Sequence, residues 1–114
     1  MTTIYKIVPR SLWDAAVAEG RFDGAPVDLA DGYIHFSTVD QVRETAARHF
    51  AGESDLLLVA VEADALGDLL RFEPSRGGAL FPHLYGPLDP ASASRVAELP
   101  LGDDGTHRFP EDVR

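Results

Sequence analysis

Stretches with strand periodicity and stretches with helical periodicity follow one another along this chain. Residues 4–8, IYKIV, alternate between two faces and predict a first strand. Residues 11–20 repeat apolar positions every three or four residues, which predicts an amphipathic helix with Ser11 as its N-cap and an end at Gly20. Residues 21–31 are rich in Gly, Pro and Asp without a period, so we expect a loop there.

The next segment separates a polar row from an apolar row. Residues 32–38, GYIHFST, predict a second strand, and period two places three polar side chains on one face: Tyr33, His35 and Ser37. Thr38 and Gln41 have the spacing of a capping box, and apolar residues at helical spacing follow until Gly52, so we expect a helix. Residues 55–61, DLLLVAV, are continuously apolar, which predicts a central strand covered on both faces.

The C-terminal half carries weaker signals. We expect a short helix within residues 62–70, a short strand at 71–73 and a glycine turn at 76–79. Residues 94–101 predict a last strand. The segment 102–114 is polar, so we expect it to form a loosely ordered tail.

Composition and charge narrow the classes of protein. The 114 residues fit a single domain, and a content of 45% hydrophobic and 25% charged residues is typical of a globular chain. With 19 acidic and 10 basic residues the formal net charge is -9, which disfavours duplex nucleic acid as a partner. The absence of Cys excludes disulfides and thiolate chemistry. No apolar run has the length of a signal peptide or a membrane span, so we expect a cytoplasmic protein without a membrane partner. Among oligomeric states, which the sequence leaves open, a monomer is favoured.

His35 is the first candidate for chemistry, because it lies in a polar row that faces a cleft or solvent rather than the core. The alternative is a histidine that is hydrogen-bonded beneath a loop. Ser37 and Thr38 lie where the predicted strand passes into a helix, and hydroxyls with free N–H groups at such a place bind anions such as phosphate. Simple helix capping is the alternative role of Thr38.

His83 is the second candidate, and it lies within residues 81–88, FPHLYGPL. Pro82 restricts its own φ and biases Phe81 toward an extended backbone, so the local geometry is imposed by the sequence. If the segment is extended, Tyr85 shares the face of His83, which puts a phenol beside an imidazole. A structural turn with a hydrogen-bonded histidine explains the same residues.

Weaker signals complete the set of candidates. Glu73 precedes Pro74 at the end of a short strand, where active-site groups are often found, although a merely solvated carboxylate fits as well. Arg76 with its two following glycines would suit a phosphate, although an ordinary glycine turn explains the same residues. The four histidines show no metal-ligand spacing, so we expect no metal site. Ser37 lies in no G-x-S-x-G turn, which argues against a serine hydrolase.

Two segments together resemble the signature of a family of small bacterial domains known as domain of unknown function 952 (DUF952). These segments read GYIHFSTVDQVRETAARHF and FPHLYGPL, and the order of the flanking strands extends the resemblance to about Leu101. The resemblance implies an α+β fold similar to that of ADP-ribosyltransferases, in which two small, mostly antiparallel sheets surround a cleft and helices flank them.

The resemblance also implies roles for single residues. Residues 36–38 are similar to the Phe-x-Ser-Thr-Ser type of strand motif in ADP-ribosyltransferases, whose hydroxyls help to order the NAD-binding cleft. Glu73 would be the catalytic glutamate, which in those enzymes hydrogen-bonds the nicotinamide ribose while nicotinamide leaves. The chain departs from the pattern at Lys6, where those enzymes have Arg or His, and at Val39, where they have a second serine.

Three hypotheses follow. The first is an enzyme or degenerate enzyme that binds NAD or an ADP-ribose-like nucleotide. The second is a non-catalytic domain that binds a small anionic or nucleotide-like ligand in the same cleft, at the predicted helix start at Thr38 and at Lys6 or Arg76. The third is a small acid/base enzyme, such as a phosphoester hydrolase or cyclising enzyme, in which two imidazoles reach one reacting atom. The candidate catalytic residues are His35, Glu73 and His83, and the candidate ligand-binding residues are Lys6, Tyr33, Ser37, Thr38, Arg76 and Tyr85.

Overall fold

The computed structural model describes residues 2–113 of the chain, apart from the side chain of Arg76. The helices within this range are α1 (Arg10–Glu19), α2 (Pro26–Asp31) and α3 (Val42–His49), with short 3-10 turns at Ala63–Leu69, Arg76–Gly78 and Pro90–Ser92. The strands are β1 (Thr3–Pro9), β2 (Ile34–His35), β3 (Ser37–Thr38), β4 (Leu56–Glu62), β5 (Leu70–Pro74), β6 (Leu80–Leu84) and β7 (Ala93–Leu99). The predicted α+β class is therefore confirmed.

The larger of two antiparallel sheets has the strand order β3-β1-β4-β7 and is called here the large sheet. Its two inner strands pair along their whole length, with Ile4 opposite Val61 and Val8 opposite Leu57. Residues 56–61 of β4 are all buried, as their continuous apolar run predicts for a strand covered on both faces.

The second sheet, called here the small sheet, has the strand order β2-β6-β5. His35 of β2 lies directly opposite His83 of β6, which in turn lies opposite Arg71 of β5. Residues that pair directly across antiparallel strands share a face, so the two histidines project to the same side of the sheet.

Two clusters of buried side chains cover the two faces of the large sheet. One contains Ile4 and Val8 of β1 together with side chains from α1 and the small sheet: Trp13, Ala16, Ile34 and Leu84. The other contains Tyr5 and Ile7 together with side chains from α3 and the end of the chain: Val42, Ala46 and Val113. The two-residue period of β1 thus divides the core into two clusters.

The predicted strand at residues 32–38 is divided in the structure. Its first part, β2, joins the small sheet, and its second part, β3, pairs with β1 in the large sheet. Phe36 lies between them, is 2% exposed, and donates its backbone N–H to the Pro82 carbonyl at 2.9 Å. This segment therefore connects the two sheets, a role that periodicity alone does not reveal.

Three predicted features of the helices are wrong. Residues 26–31, expected within a loop, form α2, because Pro26 at its first position has a φ suited to a helix start. The first helix begins at Arg10, so Ser11 is not its N-cap. The third begins only at Val42, although the Gln41 side chain does accept a hydrogen bond from the Thr38 N–H, at 3.0 Å.

The segment that was expected to be a loosely ordered tail lies against α3. Val113 is 2% exposed, and its carbonyl accepts a hydrogen bond from the Arg43 guanidinium at 2.5 Å. That guanidinium also lies over the Phe109 ring, 4.8 Å from its centroid. None of the helices formed by residues 2–113 combines the length and the apolar character that crossing a membrane requires.

Candidate functional site

Four rings from β2, β6 and their flanks meet on one face of the small sheet. The Tyr33 ring stacks on the His83 ring with 4.1 Å between centroids and lies 4.7 Å from the His35 ring and 5.3 Å from the Tyr85 ring. The two imidazoles meet edge to face, with centroids 5.6 Å apart. Because β2 and β6 pair in register, residues 48 positions apart in the chain share one site.

Two carboxylates hold the His35 imidazole. Its Nδ1 lies 2.6 Å from Oδ1 of Asp28, and its Nε2 lies 2.9 Å from Oδ2 of Asp31. Both carboxylates belong to α2, whose end at Asp31 is followed by Gly32 with φ 87°. A carboxylate oxygen only accepts hydrogen bonds, so both contacts are satisfied when the ring donates from both nitrogens, as an imidazolium does.

Asp28 is 1% exposed and joins three parts of the site. Its carboxylate accepts hydrogen bonds from the Lys6 ammonium at 2.9–3.0 Å, from the Ala25 N–H at 2.8 Å, and from the ring and backbone of His35. Burial by itself would raise the pKa of Asp28, but the hydrogen bonds from His35 and the charge of Lys6 outweigh burial and lower this pKa from 3.8 to about 2.

Lys6 is also buried, at 5% exposure. Burial lowers the pKa of its ammonium, and the adjacent Asp28 carboxylate opposes that change. Lys6 therefore forms part of a buried ion pair that supports His35, in addition to lining the pocket described below.

A third carboxylate holds His83. Oε1 of Glu73 lies 2.8 Å from Nδ1 of His83 and accepts a hydrogen bond from the Tyr85 hydroxyl at 2.6 Å. The hydrogen bond from Tyr85 and, after it, the one from His83 lower the pKa of Glu73. The Tyr85–Glu73 hydrogen bond also raises the pKa of Tyr85. Each histidine of the site thus has its Nδ1 oriented by a carboxylate, an arrangement that also fixes catalytic and ligand-binding imidazoles.

The two histidines line a pocket of about 750 Å³, called here the main pocket. Its lining includes four aromatic residues, Tyr5, Phe36, Phe50 and Phe81, and a set of polar residues, Lys6, Asp31, Ser37, Thr45, His49 and Ser75. His83 is 3% exposed, and its Nε2 forms no hydrogen bond with any described residue. Since no fully buried side-chain nitrogen or oxygen among the described residues lacks a partner, this Nε2 is not fully buried, and its ring lines the main pocket.

The structure brings most of the predicted site residues together. Tyr33, His35, Glu73, His83 and Tyr85 form one connected cluster, and Lys6 joins it through Asp28. Ser37 lines the main pocket, with its Oγ 2.8 Å from Oγ1 of Thr45.

Two predicted ligand-binding residues lie elsewhere. Thr38 pairs with Ile4 in the large sheet, four residues before α3 begins, so the expected strand-to-helix junction at Thr38 is wrong. Its N–H is already bound to Gln41. Arg76 lies in the turn between β5 and β6, and its side chain is outside the described residues. Whether these residues bind a ligand stays a prediction.

Sequence reasoning missed Asp28 and Asp31. Both fall in PVDLADG, which was interpreted as loop because Gly, Pro and Asp are frequent there. The signal that identifies them is helical: Pro26 starts a turn, and an acidic residue near a helix start binds free N–H groups, as Asp28 binds that of Ala25. Within residues 2–113 no group of three or more His, Asp or Glu side chains has the arrangement of a metal site.

The chain is similar to a described family and to experimental structures. Residues 7–96 match the model of a family described as protein of unknown function (DUF952). The crystal structure of protein CC0527 from Caulobacter crescentus is 53% identical, covers 98% of both chains and superimposes with a TM-score of 0.94. The solution NMR structure of that protein is 57% identical over 93% of this chain and 91% of that chain, with a TM-score of 0.84. No curated protein matches the chain.

Proposed function

The chain belongs to the DUF952 family, and from that premise and the geometry of its site we propose that the main pocket binds a nucleotide-type ligand related to NAD or ADP-ribose. The observation that carries the proposal is the lining of the pocket, in which four aromatic side chains and the three imidazoles of His35, His49 and His83 surround about 750 Å³. Pockets for small molecules and cofactors have volumes of roughly 300–1,000 Å³ and a mostly apolar lining with a few polar groups. A planar base can stack on aromatic side chains such as these.

The polar groups of the pocket suit the anionic part of that ligand. His35 is held by two carboxylates, of which Asp28 is buried and Asp31 has a side chain that is 45% exposed. A ligand oxyanion that replaces the exposed Asp31 carboxylate would find a donor already oriented by Asp28. Ser37 adds a hydroxyl at the same pocket.

The fold assignment belongs to the same proposal. We infer an ADP-ribosyltransferase-like arrangement because each of the two antiparallel sheets contributes residues to the lining of the pocket. Phe36 and Ser37, which belong to the motif that resembles those enzymes, are among these residues. Lys6 departs from the Arg or His of those enzymes and is paired with Asp28, and Val39 replaces their second serine. These departures favour a degenerate relative that binds the nucleotide without transferring ADP-ribose.

Isothermal titration with ADP-ribose, NAD and nicotinamide tests the proposal. We expect measurable heat with ADP-ribose and NAD, and an affinity reduced at least about tenfold in His35→Ala, because loss of a charge-assisted hydrogen bond removes roughly 1.5–3 kcal/mol. The matched control is His107→Ala. This imidazole bonds the Glu53 carbonyl and lines a separate pocket, so its removal should leave the affinity unchanged. No heat and no change in melting temperature at millimolar ligand would exclude the proposal.

A second candidate, acid/base catalysis by the histidine pair, is favoured by one observation. The two imidazole centroids are 5.6 Å apart and both rings line the main pocket, so both can approach one bound substrate. The same preparations decide between the candidates when they are assayed for nicotinamide release from NAD and for nitrophenol release from nitrophenyl phosphodiesters. Release that is lost in both His35→Ala and His83→Ala would establish catalysis, and binding without any release supports the first candidate.

A further inference from the structure

His83 and Glu73 form a pair whose proton position follows from the geometry. Nδ1 of His83 faces Oε1 of Glu73 at 2.8 Å, and the same oxygen accepts the Tyr85 hydroxyl at 2.6 Å. An ionised carboxylate has no proton to give, so the hydrogen of the first contact must lie on Nδ1. The lowered pKa of Glu73 is consistent with an ionised carboxylate.

A neutral imidazole that carries its proton on Nδ1 has its lone pair on Nε2. Nε2 of His83 has no hydrogen-bond partner among the described residues, and the ring lines the main pocket. His35 differs, because both of its nitrogens face carboxylates. Of the two imidazoles on the small sheet, His83 is therefore the one with a lone pair available to a molecule in the pocket.

Ring packing keeps this lone pair in one direction. Tyr33 stacks on the His83 ring at 4.1 Å and restricts rotation of its plane, and the Tyr85 hydroxyl holds the Glu73 carboxylate in place. His83 is 3% exposed, whereas the Glu73 side chain is 33% exposed and is not among the residues that line the pocket. Glu73 is thus placed to act on His83 rather than on a bound molecule.

We propose that Glu73 is a positioning residue that acts through His83: it fixes the Nδ1–H tautomer, so that Nε2 accepts a hydrogen bond from an O–H or N–H group of the ligand. This inference rests on the proposed ligand-binding function of the pocket. It differs from the role implied by the family resemblance, in which the glutamate itself contacts the nicotinamide ribose. The pocket then offers a hydrogen-bond acceptor at His83 beside the N–H donor at His35.

Nitrogen-15 NMR of the histidine side chains tests the tautomer without any ligand. The spectra are recorded on the full chain at about pH 8.5, well above the ordinary imidazole pKa of about 6.5. We expect the Nδ1–H form for His83 in the wild type, in Tyr85→Phe, which keeps the Glu73 contact, and in Glu73→Gln, whose amide oxygen still accepts from Nδ1. Glu73→Ala should give a mixture of tautomers. An Nε2–H ring in the wild type, or an unchanged ring in Glu73→Ala, overturns the inference.

Titration of the same proteins with ADP-ribose tests the link to binding. We expect the affinity to fall about tenfold in Glu73→Ala and by less than about twofold in Glu73→Gln, since one hydrogen bond of about 1.4 kcal/mol corresponds to a factor of ten. A loss of affinity in Glu73→Gln while His83 keeps the Nδ1–H form would show direct contact and overturn the positioning role. If Glu73→Ala does not fold, the wild type and Glu73→Gln decide alone.

The NMR experiment and the titration with ADP-ribose together separate this inference from the proposed function. Absence of ADP-ribose binding in the wild type overturns the proposed function and the ligand contact of Nε2, whatever the tautomer. An Nε2–H tautomer overturns the role of Glu73 even when ADP-ribose binds normally. An Nδ1–H tautomer together with the expected order of affinities supports both.

Discussion

Asp28 connects three features that lie far apart in the sequence. Its carboxylate binds Lys6, 22 residues earlier, the Ala25 N–H at the start of α2, and His35, seven residues later. An ionised side chain at 1% exposure is tolerated only when its hydrogen-bonding capacity is used, and here both oxygens are occupied. The orientation of His35 therefore depends on a buried charge pair.

Replacing Asp28 by Asn should destabilise the protein in a pH-dependent way. At pH 7 we expect a loss of about 3–5 kcal/mol, because the buried Lys6 ammonium loses its counter-ion. The folded-state pKa of Asp28, about 2, lies below its ordinary value of 3.8. The contribution of the ionised carboxylate to the free energy of unfolding is therefore complete above pH 3.8 and is lost as the pH falls through 2. The difference in this free energy between wild type and variant should shrink by roughly 2 kcal/mol over that range.

Urea unfolding of both proteins between pH 7 and pH 2 measures this convergence. Asp23→Asn is the matched control, because Asp23 pairs with Arg21 at the surface and its loss should leave the free energy of unfolding nearly unchanged at every pH. A gap between wild type and Asp28→Asn that stays constant down to pH 2 would contradict the assigned pKa.

At the scale of elements, α2 positions both carboxylates that hold His35. It is only six residues long, and a glycine with positive φ lies close to each end: Gly24, with φ 123°, and Gly32, with φ 87°. A Cβ at Gly24 would lie 2.7 Å from Cβ of Asp28, whereas a Cβ at Gly32 would meet nothing within 4 Å. Gly24 therefore allows a close approach of the backbone to Asp28.

Alanine substitutions at these two glycines should differ in cost. In both variants an alanine must adopt a positive φ that its Cβ disfavours, which costs on the order of 1 kcal/mol. Only in Gly24→Ala is a methyl group also driven into Asp28. We expect Gly24→Ala to be about 1–3 kcal/mol less stable than Gly32→Ala in urea unfolding, the range found for overpacking. Equal stability of the two variants would show that α2 shifts freely and does not fix Asp28.

At the scale of the whole molecule, the C-terminal segment covers the second core cluster. Val113 contacts that cluster, and the Arg43–Val113 hydrogen bond ties the segment to α3. The Arg95–Asp112 ion pair ties it to β7. In a chain with a net charge of -9, two of the ten basic residues thus fasten this segment.

Val113→Ala tests whether this segment belongs to the core. Removing two buried methyl groups should lower the free energy of unfolding by about 1–2 kcal/mol, at roughly 0.8 kcal/mol for each group. The matched control is Val96→Ala on β7, where the valine is 44% exposed and the change should be within about 0.5 kcal/mol. Equal effects of the two substitutions would favour the loosely ordered tail that composition predicts.

Strong local patterns were sufficient for much of the fold. The alternation of IYKIV predicted the two faces of β1, and the apolar run DLLLVAV predicted β4 as a buried inner strand. Trp13 and Ala16 are buried on α1 as the helical spacing requires, although Val17 of the same stripe is 55% exposed. These elements are predictable because their burial depends on a repeat within one segment.

The candidate site was predictable only in part. Tyr33, His35, His83 and Tyr85 were recognised from two local patterns, and they meet because β2 and β6 pair in register. The partners of the imidazoles were assigned differently or missed: Glu73 was expected to reach a ligand, and Asp28 and Asp31 were expected in a loop. Hydrogen bonds between distant residues leave no periodic trace in a sequence.

The sequence by itself determined the α+β class, the buried strands β1 and β4, and the two histidines, because each depends on spacing within a few residues. Only the tertiary structure decided that GYIHFST is shared between two sheets. That division arises because β1 and β6 are the partners of its two ends, so their positions determine where each end pairs. The tertiary structure also decided that a buried Lys6–Asp28 pair supports His35 and that Glu73 faces His83, since buried charges and polar groups are stable only when the fold brings hydrogen-bonding partners near them.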